Sequence, residues 1–338
     1  MSVARFTAII CADWGKAPRK RAVYVADMPR RIVSRIERGP YSFATVLEQA
    51  HETAVGGPVL ATFDAPFGVP ISYLRAAARE WKLDPDITFL DLLKVAATRE
   101  QFFAAVATET EWSISRPFFA VPAGEQGLNR YKHASAKKGV DLWRRIDRKT
   151  GAKPVFVKWG IPGSAGSAAA DLWQSLAVDL HASRRYRVWP FEGTLHELCE
   201  SRSVVVAEVY PRATYATALH DGPIEHRAQL SVAKTHSEVR RYAIEALTQS
   251  AWVREHHVTL KDLAATLHNE DDFDACLTAA ALLRCQIENL PLHESALSSP
   301  HAEGGILGTG SVNLELPRRV FATAMRPSVR SAPRILLR

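Results

Sequence analysis

Five carboxylate side chains stand at positions from which they could share one site. Asp13, Asp64 and Glu208 each end a short apolar run that is typical of a buried strand. Asp271 and Asp274 open the last long apolar stretch, and three-residue spacing places both on one helical face. Ligands bind beyond the carboxyl ends of the parallel strands in open α/β sheets. The sequence therefore predicts that these side chains converge at one sheet edge.

A site built only from carboxylates favours hard divalent cations. The chain has no C-x-x-C pair and no histidines with metal-ligand spacing, so oxygen ligands indicate Mg²⁺ or Mn²⁺ and not Zn²⁺. Two such ions about 3.5–4 Å apart would activate a water and stabilise the leaving oxygen in phosphodiester cleavage. We expect Asp13, Glu208 and Asp274 to hold the metals. Asp271 is a further predicted metal ligand, and Asp64 would complete the set of ligands or orient the water.

Each carboxylate also has a structural explanation. Asp13 and Asp64 precede turn sequences and could bond the backbone there. The acidic residues from Asp271 onward could stabilise a helix N-terminus by capping and through the helix dipole. Glu208 could pair with Arg212. Only the coincidence of three acidic strand ends favours a shared site.

A basic segment, residues 129–149, lies between the strands that end at Asp64 and Glu208. It carries eight basic and two acidic side chains, with aromatic residues interleaved. Such a segment could follow a phosphate backbone, with an indole as a stacking surface, or could be a solvated helix face. The predicted substrate-binding residues are Lys137, Lys138, Trp143, Arg144 and Arg145.

The elements that must position these residues predict an α/β fold with one mixed sheet. The order is a strand hairpin, then alternating helix and strand, then terminal helices. Predicted strands cover residues 5–13, 20–26, 32–36, 58–64 and 203–211, and predicted helices cover 42–54, 231–249, 259–267 and 271–290. We expect one domain over 1–316, with a helix-rich insertion at about 72–201.

Composition places the chain among ordinary globular proteins and excludes a membrane span. Of its 338 residues, 47% are hydrophobic and 23% charged, and no run of 18 apolar residues occurs. Four scattered cysteines without an export signal predict a reducing, cytoplasmic location.

The net charge of +7 is concentrated at the C-terminus. Residues 317–338 hold six arginines and no acid, whereas residues 1–316 hold 37 basic and 36 acidic side chains. Three prolines make a continuous helix there unfavourable, so we expect a mobile cationic arm that could attract nucleic acid. The body of the protein is close to neutral.

Several short motifs resemble a known family. They are Ala12-Asp13, Thr62-Phe-Asp64-Ala-Pro-Phe-Gly-Val-Pro70, Ala207-Glu208-Val-Tyr-Pro211, Asp271-Asp-Phe-Asp274-Ala-Cys-Leu-Thr-Ala279 and Glu303-Gly-Gly-Ile-Leu-Gly308. Their order is similar to that in a predicted nuclease family, domain of unknown function 429. The motifs span residues 6 to about 308, with unmatched sequence between them.

The resemblance implies an RNase H-like fold and a metal-dependent nuclease that acts on nucleic acid or a nucleotide. It places Asp13, Asp64, Glu208 and Asp274 at the metal-binding carboxylate positions of that fold. The last predicted helix also resembles the closing helix of RuvC-type resolvases. Trp14 departs from the family pattern and could restrict the site, stack on a base or simply cover the hairpin.

Two other functions remain open on the sequence alone. Asp13-Trp-Gly15 has the D-x-G form of phosphate-binding hairpins, and the glycines at 304–310 could form a second phosphate loop. Those features would fit an ATP-dependent phosphotransferase of the actin-like fold. A catalytically silent nucleic-acid-binding or scaffold protein would instead have carboxylates that are far apart or individually salt-bridged. The glycines at 160, 163 and 166 could bind phosphate or form a flexible connection.

Overall fold

A seven-stranded mixed sheet forms the centre of the fold. The computed structural model describes residues 4–321 except 16, 38, 123–125, 162, 202 and 203. The strands are β1 (Ala8–Asp13), β2 (Ala22–Asp27), β3 (Ile32–Arg35), β4 (Val59–Phe63), β5 (Phe119–Ala120), β6 (Val157–Trp159), β7 (Tyr186–Val188), β8 (Val204–Glu208), β9 (Leu230–Ser231), β10 (Thr259–Leu260) and β11 (Arg319–Val320).

Helices occupy much of the remaining chain. They are α1 (Phe43–Thr53), α2 (Ile71–Trp81), α3 (Phe89–Ala97), α4 (Gly127–Lys137), α5 (Arg145–Thr150), α6 (Gly166–His181), α7 (Leu195–Glu200), α8 (Pro211–Leu219), α9 (Ser237–Gln249), α10 (Ala251–Glu255), α11 (Leu263–His268), α12 (Glu270–Ile287) and α13 (Pro300–Glu303). None of those in the described ranges is long and apolar enough to cross a membrane.

The main sheet has the order β10-β3-β2-β1-β4-β8-β7. β1, β2 and β3 form an antiparallel meander, whereas β4, β8 and β7 continue the sheet parallel to β1. The predicted hairpin and the α/β fold class are therefore confirmed. Two further two-stranded sheets, β9 with β11 and β5 with β6, lie outside the main sheet.

The sheet separates two hydrophobic cores. One face carries Ala12, Phe63 and Val206 and packs with α1, α2, α3 and α6. The other face carries Cys11 and Val205 and packs with α8, α9 and α12. Apolar side chains on both faces explain why β1, β4 and β8 are almost continuously hydrophobic in sequence. Each strand can therefore present a terminal side chain to either layer.

Register decides which layer each strand end faces. Ala12 pairs with Phe63, and Phe63 pairs with Glu208, so these three side chains share one face. Asp13 and Asp64 lie one residue further along their strands and face the opposite layer, because side chains alternate along a strand. The backbone ladder continues to this position, since the Asp64 amide donates to the Ala12 carbonyl at 2.9 Å.

Three predicted segments differ from the structure. The helix predicted over 231–249 begins at Ser237, because Leu230 and Ser231 pair with β11. Residues 259–260, expected to begin a helix, instead pair with the edge strand β3. The stretch predicted as a helix-rich insertion also contains β7, a strand of the main sheet. Helical spacing in the sequence cannot show that a short extended segment will pair with the exposed edge of a sheet.

The first residues of the expected C-terminal arm pack against the body. The Arg319 amide donates to the Gln229 carbonyl at 2.9 Å, and the Arg318 guanidinium donates to the Gln229 side chain at 3.0 Å. Residues 322–338, which carry the remaining four arginines of the arm, lie outside the described residues.

A close backbone contact fixes the loop that follows Asp64. Gly68 has a φ of +127°, and a β-carbon there would lie 2.5 Å from the Glu303 carbonyl oxygen. The neighbouring Val69 amide donates to the Ala302 carbonyl at 2.8 Å. Only glycine fits both the backbone conformation and the space, so this contact connects the loop to α13.

Gly68→Ala should therefore lower the free energy of unfolding by about 2 kcal/mol or more, from backbone strain and the steric clash. Urea unfolding followed by circular dichroism measures this. Gly56→Ala is the matched control, since Gly56 has open space around its α-carbon and an ordinary φ. It should be neutral or slightly stabilising. Equal effects of the two substitutions would contradict the proposed contact.

Candidate functional site

The acidic residues at the beginning of α12 point in different directions. Asn269 caps the helix, and its side chain accepts the Asp271 amide at 3.0 Å. Asp272 is buried and forms an ion pair with Arg35 at 2.6 Å, so it has a structural role. Asp274 lies two residues further, on a different side of the helix, and is also buried. The helix packs against β1, β2 and α8, which brings Asp274 to the sheet edge.

Asp13, Asp64 and Asp274 form the carboxylate cluster at this edge. Asp13 is 8% exposed, and Asp64 is partly exposed. Within the described ranges, neither the Asp13 nor the Asp64 carboxyl group forms a hydrogen bond or an ion pair. The Asp274 carboxylate is held on both sides, by the Tyr215 hydroxyl and by the Lys234 ammonium. The structure thus brings together three of the five predicted metal ligands.

The electrostatics of the cluster reflect burial and mutual repulsion. Burial raises the pKa of Asp13 well above its ordinary range, and the charges of Asp274 and Asp64 raise it further. Burial and Asp274 also raise the pKa of Asp64 to about 7, against the opposing effect of Lys234. The pKa of Asp271, at the partly exposed rim, is raised to about 6, mainly by burial. An added cation would relieve this repulsion.

Lys234 is the functional candidate that the sequence analysis missed. It lies in the loop between β9 and α9, and its ammonium contacts Asp274. Burial alone would lower the pKa of Lys234, but Asp274 and Asp13 outweigh that effect and raise it. A lone lysine in a short polar loop carries no pattern that distinguishes it from other surface lysines, so no sequence signal was present.

Glu208 faces the opposite layer and belongs to a different arrangement. Arg144 forms two hydrogen bonds of 2.6 Å with the Glu208 carboxylate and a further bond of 2.7 Å with Asp147. The Phe67 amide also donates to Glu208, at 2.7 Å. Burial opposes the charge of Arg144, but Asp147 and Glu208 raise its pKa. Glu208 is thereby occupied as an ion-pair partner.

This arrangement corrects two expectations. Glu208 pairs with Arg144 and not with Arg212, whose side chain lies over the Tyr210 ring. Arg144, predicted to bind substrate, is 1% exposed in its side chain and neutralises two buried carboxylates. The basic segment therefore supplies an internal counter-ion where the sequence indicated a surface contact.

The other four predicted substrate-binding residues lie away from the carboxylate cluster. Lys137 and Lys138 are exposed at the end of α4, and Trp143 is half-buried beneath Arg148. Arg145 is exposed, and its backbone amide donates to Glu303 at 2.9 Å. None of the four lines the cleft described next.

A cleft of about 470 Å³ opens above the cluster. Asp64 and Asp274 line its acidic side, and the basic side chains of Lys153, Arg212 and Lys234 also line it. The ion-paired side chains of Arg144, Asp147 and Glu208 form a further part of its wall. The segment from Gly163 to Ala165, which leads into α6, forms another part of the wall. A volume of this size suits a small molecule or a short part of a polymer. The cleft thus combines an acidic base with cationic side chains.

Trp14 forms part of the cleft wall but is held in the core. Its indole is 2% exposed, and its ring N–H donates to Asp171 at 3.1 Å. Arg21 lies over the ring at 3.8 Å, and Phe63 contacts it edge-on at 5.1 Å. Packing therefore accounts for this residue.

The glycines at 304–310 are also explained by packing. β-carbons at Gly304 and Gly308 would lie 2.1 Å from the Phe67 carbonyl oxygen and 2.5 Å from the Thr214 methyl group. At Gly310 the nearest atom would be the His293 carbonyl oxygen, at 2.2 Å. These glycines allow close approach of protein atoms.

The cluster is not arranged as a complete ligand shell. Among the described residues, no three His, Cys, Asp or Glu side chains are placed to hold a metal ion together. The chain was also compared with protein-family models, curated proteins and solved structures, and none of them matches it. Interpretation of the site therefore depends on its own geometry.

Removal of the Arg144 charge should strongly destabilise the protein. Arg144→Met leaves Asp147 and Glu208 buried without a counter-ion, for which we expect a loss of about 3–5 kcal/mol in the free energy of unfolding. Arg148→Met is the matched control, since Arg148 pairs with Asp141 at the exposed surface, and it should cost less than about 1 kcal/mol. Urea unfolding distinguishes them, and similar losses would refute the internal role of Arg144.

The raised pKa of Asp64 predicts a pH dependence of stability. Between about pH 4 and 7 the folded state binds more protons than the unfolded state, so the free energy of unfolding falls as pH rises. Asp64→Asn should remove about 1 kcal/mol of the stability difference between about pH 6 and pH 8. Unfolding in chelator-containing buffer measures this, and parallel profiles for the two proteins would contradict it.

Proposed function

We propose that this protein is a divalent-metal-dependent phosphodiester hydrolase with an RNase H-like core. The observation that carries the proposal is the convergence of Asp13, Asp64 and Asp274 below a cleft with basic walls. Two of these residues end adjacent parallel strands, and the third lies on α12, which packs against β1 and β2. Carboxylates placed together in this way are costly unless a cation joins them.

The topology supports the proposed core. An antiparallel meander of β3, β2 and β1 is extended by the parallel strands β4 and β8, and α12 lies against β1 and β2. The acidic residues lie at the carboxyl edge of the parallel strands, where ligands bind in α/β folds.

The donor chemistry fits Mg²⁺ or Mn²⁺. Two of the three carboxyl groups lack any described hydrogen-bond partner, and all three are oxygen donors. Asp13, Asp64 and Asp274 would hold the ion after drawing closer together, because no three described His, Cys, Asp or Glu side chains are placed to share one ion as they stand. Asp271 would add negative charge at the rim. Bound there, the ion would supply Lewis-acid activation of water and stabilisation of a leaving oxygen. Glu208 is not part of the proposed ligand set, because Arg144 occupies it.

The remaining side chains have supporting roles in this proposal. Tyr215 orients the Asp274 carboxylate by donating its hydroxyl proton. Arg212 and Lys153 line the cleft and would bind phosphate oxygens of a nucleotide or nucleic acid. The core-packed indole of Trp14 closes one wall and excludes water from that side.

A silent binding protein is the competing hypothesis, and one observation favours it. Asp274 and Glu208 are each ion-paired, as capping or structural residues would be. Asp13 and Asp64, however, have no cationic partner within 4 Å among the described residues. Buried acids without partners are the expected sign of a binding site for a cation.

Asp13→Asn should abolish cleavage and leave the fold intact. The wild-type protein should cleave labelled single-stranded or duplex DNA or RNA in the presence of Mn²⁺, and the variant should be slower by about 100-fold or more. Because the substitution removes repulsion from the cluster, its melting temperature should stay equal or rise.

The control for this experiment is Asp141→Asn. Asp141 lies at the exposed surface, and its replacement should change neither cleavage nor stability appreciably. Unchanged cleavage by purified Asp13→Asn would show that the cluster is not the active site. Absence of metal-dependent cleavage by the wild-type protein on all these substrates would refute the proposed function.

A further inference from the structure

We propose that Lys234 is a resident cation of the carboxylate cluster, which releases Asp274 when a divalent ion binds and then contacts the substrate phosphate. This inference rests on the proposed function and assigns a role to a residue that the sequence did not indicate. Its basis is the direct contact between the Lys234 ammonium and Asp274 at the base of the cleft.

The two side chains of this ion pair differ in how freely they can move. The Asp274 side chain is 2% exposed and is held by Tyr215, whereas the Lys234 side chain is 34% exposed. The lysine carries its charge on a flexible four-carbon stem with three donors. It can therefore move into the cleft while the carboxylate stays in place.

The backbone of Lys234 is fixed, so only its side chain needs to move. The buried Arg240 guanidinium donates to the Lys234 carbonyl. The same guanidinium donates to the carbonyls of Thr266 at 3.0 Å and Leu267 at 2.5 Å, near the start of α12. Arg240 thus ties the loop to α11, the helix that precedes α12.

Charge balance favours replacement of the Lys234 ammonium by a divalent ion at the cluster. Three carboxylates with one ammonium retain two uncompensated negative charges when all are ionised, and a divalent ion would supply two positive charges at one point. An ammonium beside that ion would be repelled by its two positive charges. The ammonium would therefore turn toward the cleft, where a phosphate restores its pairing.

A purely structural lysine would behave in the opposite way. If Lys234 only holds Asp274 in position, its removal would weaken ion binding. If it competes with the ion, its removal would strengthen ion binding while slowing cleavage. The sign of the change in ion affinity therefore separates the two roles without reference to activity.

The test is calorimetric titration of Mn²⁺ into the wild-type protein and Lys234→Met. We expect about 10-fold tighter binding by the variant, with a lower kcat for cleavage because the phosphate loses its partner. Lys261→Met, at an exposed lysine outside the cleft, makes the same change in net charge and should leave ion affinity within about twofold. Equal or weaker binding by Lys234→Met would overturn the proposal.

A second measurement uses the wild-type chain, because Lys234→Met leaves Asp274 without its cation and could impair folding. In ¹⁵N-lysine-labelled protein, the Lys234 ammonium resonance, assigned with Lys234→Arg, should shift or broaden when Mg²⁺ is added. An unchanged resonance during ion binding would also overturn the proposal.

The two hypotheses fail in different ways. Ion binding that requires Asp13 but is not tightened by Lys234→Met overturns the role of the lysine and leaves the hydrolase proposal standing. Absence of ion binding in the wild-type protein and in every variant overturns both.

Discussion

Alternation of side chains along a strand is the constraint on which this site depends. Adjacent positions at the carboxyl ends of β1, β4 and β8 belong to different layers, so a shift of one residue decides where a carboxylate goes. Asp13 and Asp64 share a register position and face α12, whereas Glu208 is aligned with Phe63 and faces the other layer. One sheet edge therefore carries two acidic arrangements, which face different layers and line the same cleft.

The two arrangements differ in how their buried negative charges are compensated. On one side, the planar guanidinium of Arg144 compensates the charges of Glu208 and Asp147 and forms short hydrogen bonds with both carboxylates. On the other side, three carboxylates share the single, partly exposed ammonium of Lys234. The first is a completed structural ion-pair network. The second has one ammonium for three carboxylates and remains underneutralised. Burial raises the pKa of Asp64 and of Glu208 alike to about 7, so the two arrangements differ in their partners.

Local patterns in the sequence were sufficient for much of the fold. Apolar runs that end in acids gave β1, β4 and β8, the turn after Asp13 gave the hairpin, and the spacing after Asp271 gave α12. Register and long-range partners were beyond such patterns, because they depend on pairing between distant segments. Arg144 and Glu208 are 64 residues apart, and Lys234 and Asp274 are 40 apart. The acids at strand ends indicated that Asp13, Asp64 and Asp274 would lie at one sheet edge, but the partners of Glu208, Arg144 and Asp274 came only from the structure.

The hydrogen bonds of Arg144 also bear on how the long segment between β4 and β8 behaves. Besides its two carboxylates, this side chain donates to the carbonyls of Phe67 at 3.2 Å and Glu303 at 3.1 Å. One buried guanidinium therefore joins the loop after β4, the start of α5, the end of β8 and the end of α13. Detachment of the segment from the sheet would break all of these bonds and expose uncompensated charge at the same time. The segment and the sheet thus form one cooperative unit of unfolding, which a single side chain reinforces at this edge.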